Sequence, residues 1–234
     1  MELYIIRHGE TDWNKEKRLQ GRSDTELNEY GIELAEITAD ALKDVTFDRI
    51  YSSPLKRAYK TAEIIRLDRD IEIQTDDRLL EICFGDIEGI PMSERPPEFA
   101  NFFDAPEKYV PANGGESYES LVARAKDFIY NEIVPLSNEC ERVLIVAHGA
   151  LNKALMLNLN HEEIKDIWNG IFQRNCCVNI YEVDGTVNRY DVVNIETLNP
   201  TEVDKVKNSE NALILYTCTY SGKARTAVFC NRAG

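Results

Sequence analysis

The sequence predicts an α/β protein, built as a three-layer α/β/α sandwich around a mostly parallel central sheet. Two continuous apolar runs, residues 3–6 and 142–147, are typical of strands that are buried on both faces. Between and after them, amphipathic helical stretches alternate with strand-like stretches, which favours parallel strands joined by crossover helices. The first run stops at Arg7-His8-Gly9 and the second at His148-Gly149, so polar side chains follow two strand ends.

The first half of the chain supplies two further strands and two helices. Apolar residues at helical spacing predict a helix over 30–43, and short β-prone runs predict strands at 47–51 and 71–75. Between these strands, the residues Ser52 to Pro54 are typical of an N-cap with proline at the first helical position. We therefore expect the second helix to begin there and to end near Leu67.

Residues 82–115 form a long segment rich in proline and glycine, and such a connection is more often a functional lid than a passive link. Its aromatic residues, Phe99, Phe102, Phe103 and Tyr109, either contact an organic group of a substrate or pack the segment onto the body of the protein. We favour packing.

The second half of the chain contains helices, strands and a hairpin. The predicted elements are a helix capped by Ser117 that ends near Leu136, the strand 142–147, a helix from Ala150, a helix from a capping box of Asn160 and Glu163 to about Gly170, and a hairpin of 176–183 with 187–195 that turns at Asp184-Gly185.

We place a domain boundary after Asn199. Residues 1–199 are predicted to be one domain, and residues 200–234 a C-terminal extension. The extension begins with a polar, linker-like stretch, and β-prone residues at 212–220 and 224–230 predict a terminal hairpin. It is interpreted either as an accessory hairpin or as extraneous sequence, and no function is assigned to it.

Composition and charge exclude several classes of protein. Hydrophobic residues make up 43% of the 234 residues and charged residues 29%, which is ordinary for a globular protein. The net charge of −14 argues against nucleic acid as a partner, and an anionic substrate would need a local positive pocket. No apolar run is long enough for a membrane span and no signal peptide precedes the first strand, so we expect a cytoplasmic protein with reduced thiols. Oligomeric state is not predicted.

Two of the three histidines come at strand ends, and neighbouring parallel strands would place His8 and His148 close together. Ligands of open α/β sheets bind outside the carboxyl ends of the strands, where Arg7 and His8 are expected to lie. His161 is interpreted as a surface residue at a helix start.

Five motifs in order resemble those of the histidine phosphatase superfamily, in its phosphoglycerate mutase-like branch. The matching stretches cover roughly residues 1–196. They are Arg7-His8-Gly9-Glu10-Thr11 with Trp13-Asn14, Ser52 to Ala58 with Thr61-Ala62, Leu80-Glu81 with Phe84-Gly85 and Glu88-Gly89, Gly115-Glu116-Ser117, and Val146-Ala147-His148-Gly149.

The resemblance implies a phosphoglycerate mutase-like fold and a phosphomonoester hydrolase that acts on a small phosphorylated metabolite through a phosphohistidine. It implies His8 as the nucleophile and Glu81 as the general acid, with neither a metal nor a cofactor. Arginine suits the phosphoryl group because its planar fork of donors binds anionic oxygens bidentately. The residues expected to bind phosphate or substrate are Arg7, Asn14, Gln20, Gly21, Arg57, His148 and Gly149.

Two other functions remain open: a mutase that returns the phosphoryl group to its substrate, and a non-catalytic module that binds a phosphorylated ligand. Residues 82–115 contain only Arg95 and Lys108 against six acidic residues, so a second phosphate would find few cations and hydrolysis is favoured. Ile87 and the pair Asn152-Lys153 depart from the residues common in the family, which bears on substrate preference.

Overall fold

A computed structural model describes residues 1–184, apart from the side chain of Glu98, and the backbone of residues 190–198, 213–218 and 225–232. Its eight strands form one sheet in the order β3-β2-β4-β1-β5-β7-β8-β6. The strands are β1 (Glu2–Arg7), β2 (Arg49–Ser52), β3 (Ile73–Thr75), β4 (Arg142–Ala147), β5 (Val178–Glu182), β6 (Tyr190–Leu198), β7 (Leu213–Cys218) and β8 (Arg225–Arg232).

The first four strands in this order, β3-β2-β4-β1, are all parallel, and the other four add to the sheet in antiparallel fashion. The last paired residues of β1 and β4 are Arg7 and Ala147, directly opposite each other. His8 and His148 follow them immediately, and this register therefore brings the two histidines side by side at the carboxyl edge. The α/β class is confirmed, with the parallel block at the histidines.

Helices cover both faces of the parallel block, as the sandwich requires. The helices are α1 (Asp12–Lys15), α2 (Glu29–Ala41), α3 (Lys56–Arg66), α4 (Asn101–Asp104), α5 (Tyr118–Phe128) and α6 (Gly149–Asn160). Alternate residues of β1 point to opposite sides: Leu3 and Ile5 join a core with α5 and α6, whereas Tyr4 and Ile6 join a core with α3. Among the described residues no helix is long and apolar enough to cross a membrane.

Two predicted helix starts are wrong. Helix α3 begins at Lys56 with Leu55 as its N-cap, and that N-cap makes no side-chain hydrogen bond. Neither Ser52 nor Ser53 caps it: the Ser52 hydroxyl donates to the carbonyl of Ser53, and the Ser53 hydroxyl accepts from the amide of Leu55, which precedes the helix. Helix α6 runs through Asn160, and His161 ends it in the left-handed conformation at φ 55°, so Asn160 and Glu163 form no capping box. The predicted Ser117 cap of α5 is confirmed, since its side chain accepts from the amide of Ser120.

The predicted hairpin after β5 is also wrong, because β5 pairs with β1 and β7, whereas β6 pairs with β8. Residues 185–189, which include Gly185 of the predicted turn, lie outside the described residues. Strands β7 and β8 pair in antiparallel fashion, as the predicted terminal hairpin requires, and the residues that join them lie outside the described residues. The predicted linker lies outside the described residues as well, and the domain boundary at residue 199 stays a prediction.

The long segment after β3 consists of short 3₁₀ turns and the single-turn helix α4, and its aromatic side chains form a cluster. Phe99 and Phe102 stack at 4.9 Å between ring centroids, and both are buried, as is Tyr109. Phe102 also stacks on Tyr118 at the start of α5. The packing interpretation is therefore confirmed for these residues, whereas Phe103 is 39% exposed.

Candidate active site

His8 lies just beyond the end of β1 and is held by two hydrogen bonds at its ring nitrogens. Nδ1 is 2.6 Å from the carbonyl oxygen of Gly9, and Nε2 is 3.3 Å from Nε of Arg57. A carbonyl only accepts and a guanidinium only donates, so Nδ1 carries the proton and Nε2 presents a lone pair. Burial, together with Arg57 and Arg7, holds the pKa of His8 well below its usual range, and the ring is neutral at ordinary pH.

Arg57 is buried on α3, and its guanidinium links His8 to a loop. Its terminal nitrogens donate to the carbonyl oxygens of Gly21 and Ser23 at 2.8 and 2.7 Å. Burial lowers the pKa of Arg57 to about 10, although Glu81 raises it. The guanidinium is therefore still charged near neutral pH, and it supplies positive charge beside His8.

Arg7 ends β1 and lies on the other side of the histidine pair. Its guanidinium donates to the carbonyl oxygen of Gln173, and its buried Nε atom has no partner among the described residues. A Cβ atom placed on Gly149 would lie 3.7 Å from this Nε and 3.7 Å from Oε2 of Glu81. Arg7, Glu81 and Gly149 thus converge on one point, with an N–H group available for an anion.

His148 is fully buried between β4 and α6. Its ring lies 5.2 Å from the ring of His8, measured between centroids. Its Nε2 atom is 2.8 Å from Oγ of Ser53, whereas Nδ1 has no partner among the described residues. Burial, followed by the charge of Arg57, holds the pKa of His148 well below its usual range, so this ring is neutral as well.

Glu81 reaches the N-terminus of α6. Its side-chain oxygens accept from the amides of Ala150 and Leu151 at 3.2 and 3.0 Å, in the first turn of the helix. Arg22 and Arg124 donate to its backbone carbonyl. The first amides of α6 after Gly149 therefore hold the side chain of Glu81 in this structure.

A partly buried ion pair, Arg124 with Glu116, supports the backbone of Glu81. Arg124 contacts both carboxylate oxygens of Glu116 at 2.8 and 2.9 Å and donates to the carbonyl of Leu80. Burial opposes ionisation of Glu116, but Arg124 and Arg22 keep its pKa below the usual value. This charged pair fixes the backbone that carries Glu81.

Asn14 and Gln20 belong to one network of hydrogen bonds around Thr11. The Asn14 side-chain oxygen accepts from the amide of Thr11 and from Nδ2 of Asn175. The Gln20 side-chain oxygen accepts from the hydroxyls of Thr11 and Thr25 at 2.9 and 2.8 Å. Both amide oxygens therefore accept hydrogen bonds within this network.

The sequence motifs thus converge in space. Gly21 lies at φ 54° and enters the site through its carbonyl, which holds Arg57. The predicted residues that the structure brings together around the two rings are Arg7, His8, Arg57, Glu81, His148 and Gly149. Asn14, Gln20 and Gly21 lie in the adjoining loops, and the binding roles predicted for them stay predictions.

Two residues support the site through contacts that the sequence analysis did not predict. Asn175 donates to the carbonyls of His8 and Gly9 and so fixes the turn after β1. Glu88 accepts from the amides of Arg22 and Ser23 and from the Ser23 hydroxyl, and so holds the loop that binds Arg57. Glu88 belongs to a recognised motif, but nothing local to Asn175 signals its role.

A cavity of about 1140 Å³ lies next to this site, between α1, the start of α2 and Phe172. None of the residues His8, Glu81 and His148 lines this cavity. The candidate site is therefore defined by the polar side chains that meet around the two histidine rings. Among the described residues no group of three or more His, Cys, Asp or Glu is arranged to hold a metal ion.

Comparison with known proteins identifies related chains. The family model described as the histidine phosphatase superfamily (branch 1) matches residues 3–196. An uncharacterised phosphatase, PhoE of Bacillus subtilis, is 37% identical over 156 residues, which cover 67% of this chain and 76% of that protein. A 2,3-bisphosphoglycerate-dependent phosphoglycerate mutase of Parvibaculum lavamentivorans is 33% identical over 68% of this chain and 79% of its own. The solved structure of YhfR from Bacillus stearothermophilus superimposes with a TM-score of 0.72 at 36% identity, covering 79% of this chain and 92% of that one.

Proposed function

This chain belongs to the histidine phosphatase superfamily, and we propose that it is a phosphomonoester hydrolase that forms a phosphohistidine on His8. One observation carries the proposal: the hydrogen bond between Nδ1 and Gly9 leaves the lone pair of His8 on Nε2, which faces the buried guanidinium of Arg57, with the charge of Arg7 nearby. Imidazole is a nucleophile only when neutral, and the lowered pKa of His8 provides that state. We assign the activity to residues 1–199.

In the first step, Nε2 of His8 attacks phosphorus while the bond between phosphorus and the ester oxygen breaks. Arg57 gives up its bond to Nε2 and turns that donor towards a phosphoryl oxygen, which frees the lone pair. Arg7, Arg57 and Nδ1 of His148 neutralise the charge that develops on the phosphoryl oxygens. Glu81 transfers a proton to the leaving alkoxide, which departs as the alcohol.

In the second step, a water molecule attacks the phosphohistidine. Glu81, now ionised, accepts a proton from that water, and the bond between phosphorus and Nε2 breaks to release phosphate and neutral His8. Dividing the reaction in this way replaces one difficult displacement by two easier ones. Each turnover restores the proton of Glu81.

The charge distribution supports a small, singly phosphorylated substrate. The chain carries a net charge of −14, yet Arg7 and Arg57 are concentrated at the histidine pair. In the long segment after β3, Arg95 donates to the carbonyl of Met92 and is committed to its own turn. This supports hydrolysis over the mutase reaction, which retains a phosphoryl group on the enzyme for return to the substrate.

The decisive experiment is a screen of phosphorylated metabolites and para-nitrophenyl phosphate, with and without EDTA, followed by acid-free quenching to trap the phosphoenzyme. We expect hydrolysis that EDTA leaves intact, with an alkali-stable phosphate on wild-type protein that His8→Ala lacks. His161→Asn is the matched control, because Asn tolerates the left-handed conformation of that position. Loss of turnover in EDTA would reject the metal-independent mechanism. Faster isomerisation than hydrolysis of 3-phosphoglycerate would favour the mutase.

A further inference from the structure

We propose that Ser53 is a positioning residue that sets the tautomer of His148: its hydroxyl donates to Nε2, so the ring proton stays on Nδ1 and faces the phosphoryl group. The proposal rests on the proposed function in one respect, namely that a phosphoryl oxygen occupies the space beside Nδ1. Ser53 has no assigned part in the reaction proposed above.

Ser53 is held rigidly between two strand ends. It is completely buried, and its amide donates to the carbonyl of Val146 on β4 at 3.0 Å. Its Oγ atom accepts from the amide of Leu55 at 3.3 Å and lies 2.8 Å from Nε2 of His148. Hydroxyl and imidazole therefore face each other from neighbouring strands, with backbone bonds fixing the serine.

The hydrogen-bond inventory distinguishes the two tautomers of His148. A hydroxyl has one hydrogen and two lone pairs, and the amide of Leu55 occupies one lone pair. If Nε2 carried the ring proton, it would fill the second lone pair, and the hydroxyl hydrogen would have no acceptor among the described residues. Nδ1 would also be a bare buried acceptor. Two buried polar groups would then be unsatisfied, each at a cost in stability.

The other tautomer satisfies the serine completely. The hydroxyl donates to Nε2 and accepts from Leu55, and one unsatisfied group remains, the N–H at Nδ1 of His148. That remaining group is a donor beside Arg7 and Arg57, which are donors too. Phosphoryl oxygens only accept hydrogen bonds, and in this tautomer Arg7, Arg57 and Nδ1 of His148 would all present donors to the expected phosphate.

The neighbouring serine provides a matched control. Ser52 is also completely buried, but its hydroxyl donates to the carbonyl of Ser53 at 2.9 Å and not to His148. Ser52→Ala and Ser53→Ala each remove one buried hydroxyl from adjacent positions. Only Ser53→Ala removes the partner of the imidazole, so any difference between them reports the contact with His148.

The test combines nitrogen NMR of the histidine rings with kinetics. In wild-type protein at pH 7.5 we expect the His148 resonances of a proton on Nδ1, and addition of inorganic phosphate should shift Nδ1 most. In Ser53→Ala we expect a mixture of tautomers and a fall in kcat of about 10- to 100-fold, the range found when outer partners that orient ligand histidines are removed. Ser53→Thr, which retains the hydroxyl, should recover most of the loss, and Ser52→Ala should keep the wild-type tautomer.

Two outcomes would overturn the proposal: a proton on Nε2 in wild-type protein, or an unchanged tautomer and kcat in folded Ser53→Ala. The wild-type spectrum decides the tautomer even if Ser53→Ala does not fold. A proton on Nδ1 in a protein that hydrolyses no phosphomonoester would support the assignment and reject the proposed function, so the two failures are distinguishable.

Discussion

The carboxyl ends of β1 and β4 look alike in sequence but are built differently. Each strand ends in histidine-glycine, and each histidine is buried and neutral. At β1 the ring of His8 is bound by the carbonyl of the next residue, whereas at β4 the ring of His148 is bound by a hydroxyl from another strand. The chain after β1 makes one capped turn, α1, but the chain after β4 enters the twelve-residue helix α6.

The two histidine rings are therefore held in position in different ways. A backbone carbonyl comes with the fold and no side-chain substitution removes it, so the turn after β1 secures the Nδ1 side of His8, while Arg57 holds the Nε2 side. Helix α6 adds an N-terminus at the β4 end, and Glu81 binds there. On the proposed function, the end of β1 supplies the nucleophile, His8. The end of β4 supplies a hydrogen-bond donor, His148, and the N-terminus of α6 that holds Glu81, the residue that transfers the proton.

The largest expected effect tests this division directly. His8→Ala should lower kcat by about 10⁴-fold or more, because removal of a nucleophile eliminates the covalent route. His148→Ala should lose about 10²- to 10³-fold, typical for one donor to a developing anion, and should still form phosphoenzyme slowly. Rapid-quench measurement of phosphoenzyme separates the two. Equal amounts of phosphoenzyme from both variants would contradict the division.

The second expected effect concerns Glu81 at the start of α6. Glu81→Gln should lower kcat by about 10²- to 10⁴-fold for alkyl phosphates, which need a protonated leaving group. The loss should be much smaller for the phosphorylation step with para-nitrophenyl phosphate, whose leaving group is a weak base. Burst kinetics with both substrates measure this step. Similar losses for both would show that Glu81 acts through structure alone.

The third effect is on stability. Because the folded pKa values of His8 and His148 are depressed, the unfolded chain takes up protons first as the pH falls below about 6.5. The free energy of unfolding should therefore decrease as the pH decreases, by up to about 1.4 kcal/mol per pH unit for each ring. Urea unfolding between pH 7 and 5.5 should show that the free energy of unfolding depends less on pH in the double variant His8→Asn/His148→Asn than in the wild type. The same slope against pH in both proteins would contradict the lowered pKa values of the two histidines.

The smallest expected effect is a difference in the free energy of unfolding between variants of two buried asparagines. Asn152 on α6 has no partner for either side-chain amide atom among the described residues, whereas Asn179 on β5 donates to Ile5 and Gln173. Asn152→Leu should leave the free energy of unfolding unchanged or raise it by about 1 kcal/mol, because it removes unsatisfied polar atoms. Asn179→Leu should cost about 1–3 kcal/mol by stranding its partners. Chemical denaturation of both variants measures the difference, and a large loss in Asn152→Leu would reveal an unseen partner.

The sequence predicted those features that depend on local patterns. Continuous apolar runs predicted β1 and β4, and the histidines after them do lie side by side. Ser53 was misassigned because serine before proline is a common helix start, while its true partner lies 95 residues away on another strand. The predicted hairpin after β5 failed for a similar reason: a turn signal cannot show that β7 takes the neighbouring place in the sheet.

The aromatic cluster after β3 has a practical consequence for spectroscopy. Trp168, one of two tryptophans in the chain, donates from Nε1 to the carbonyl of Phe102 and to the hydroxyl of Tyr118. Its indole therefore senses the contact between the long segment and α5 directly. Intrinsic fluorescence of a Trp13→Phe variant, in which Trp168 is the remaining emitter, would report opening of that segment without an added dye.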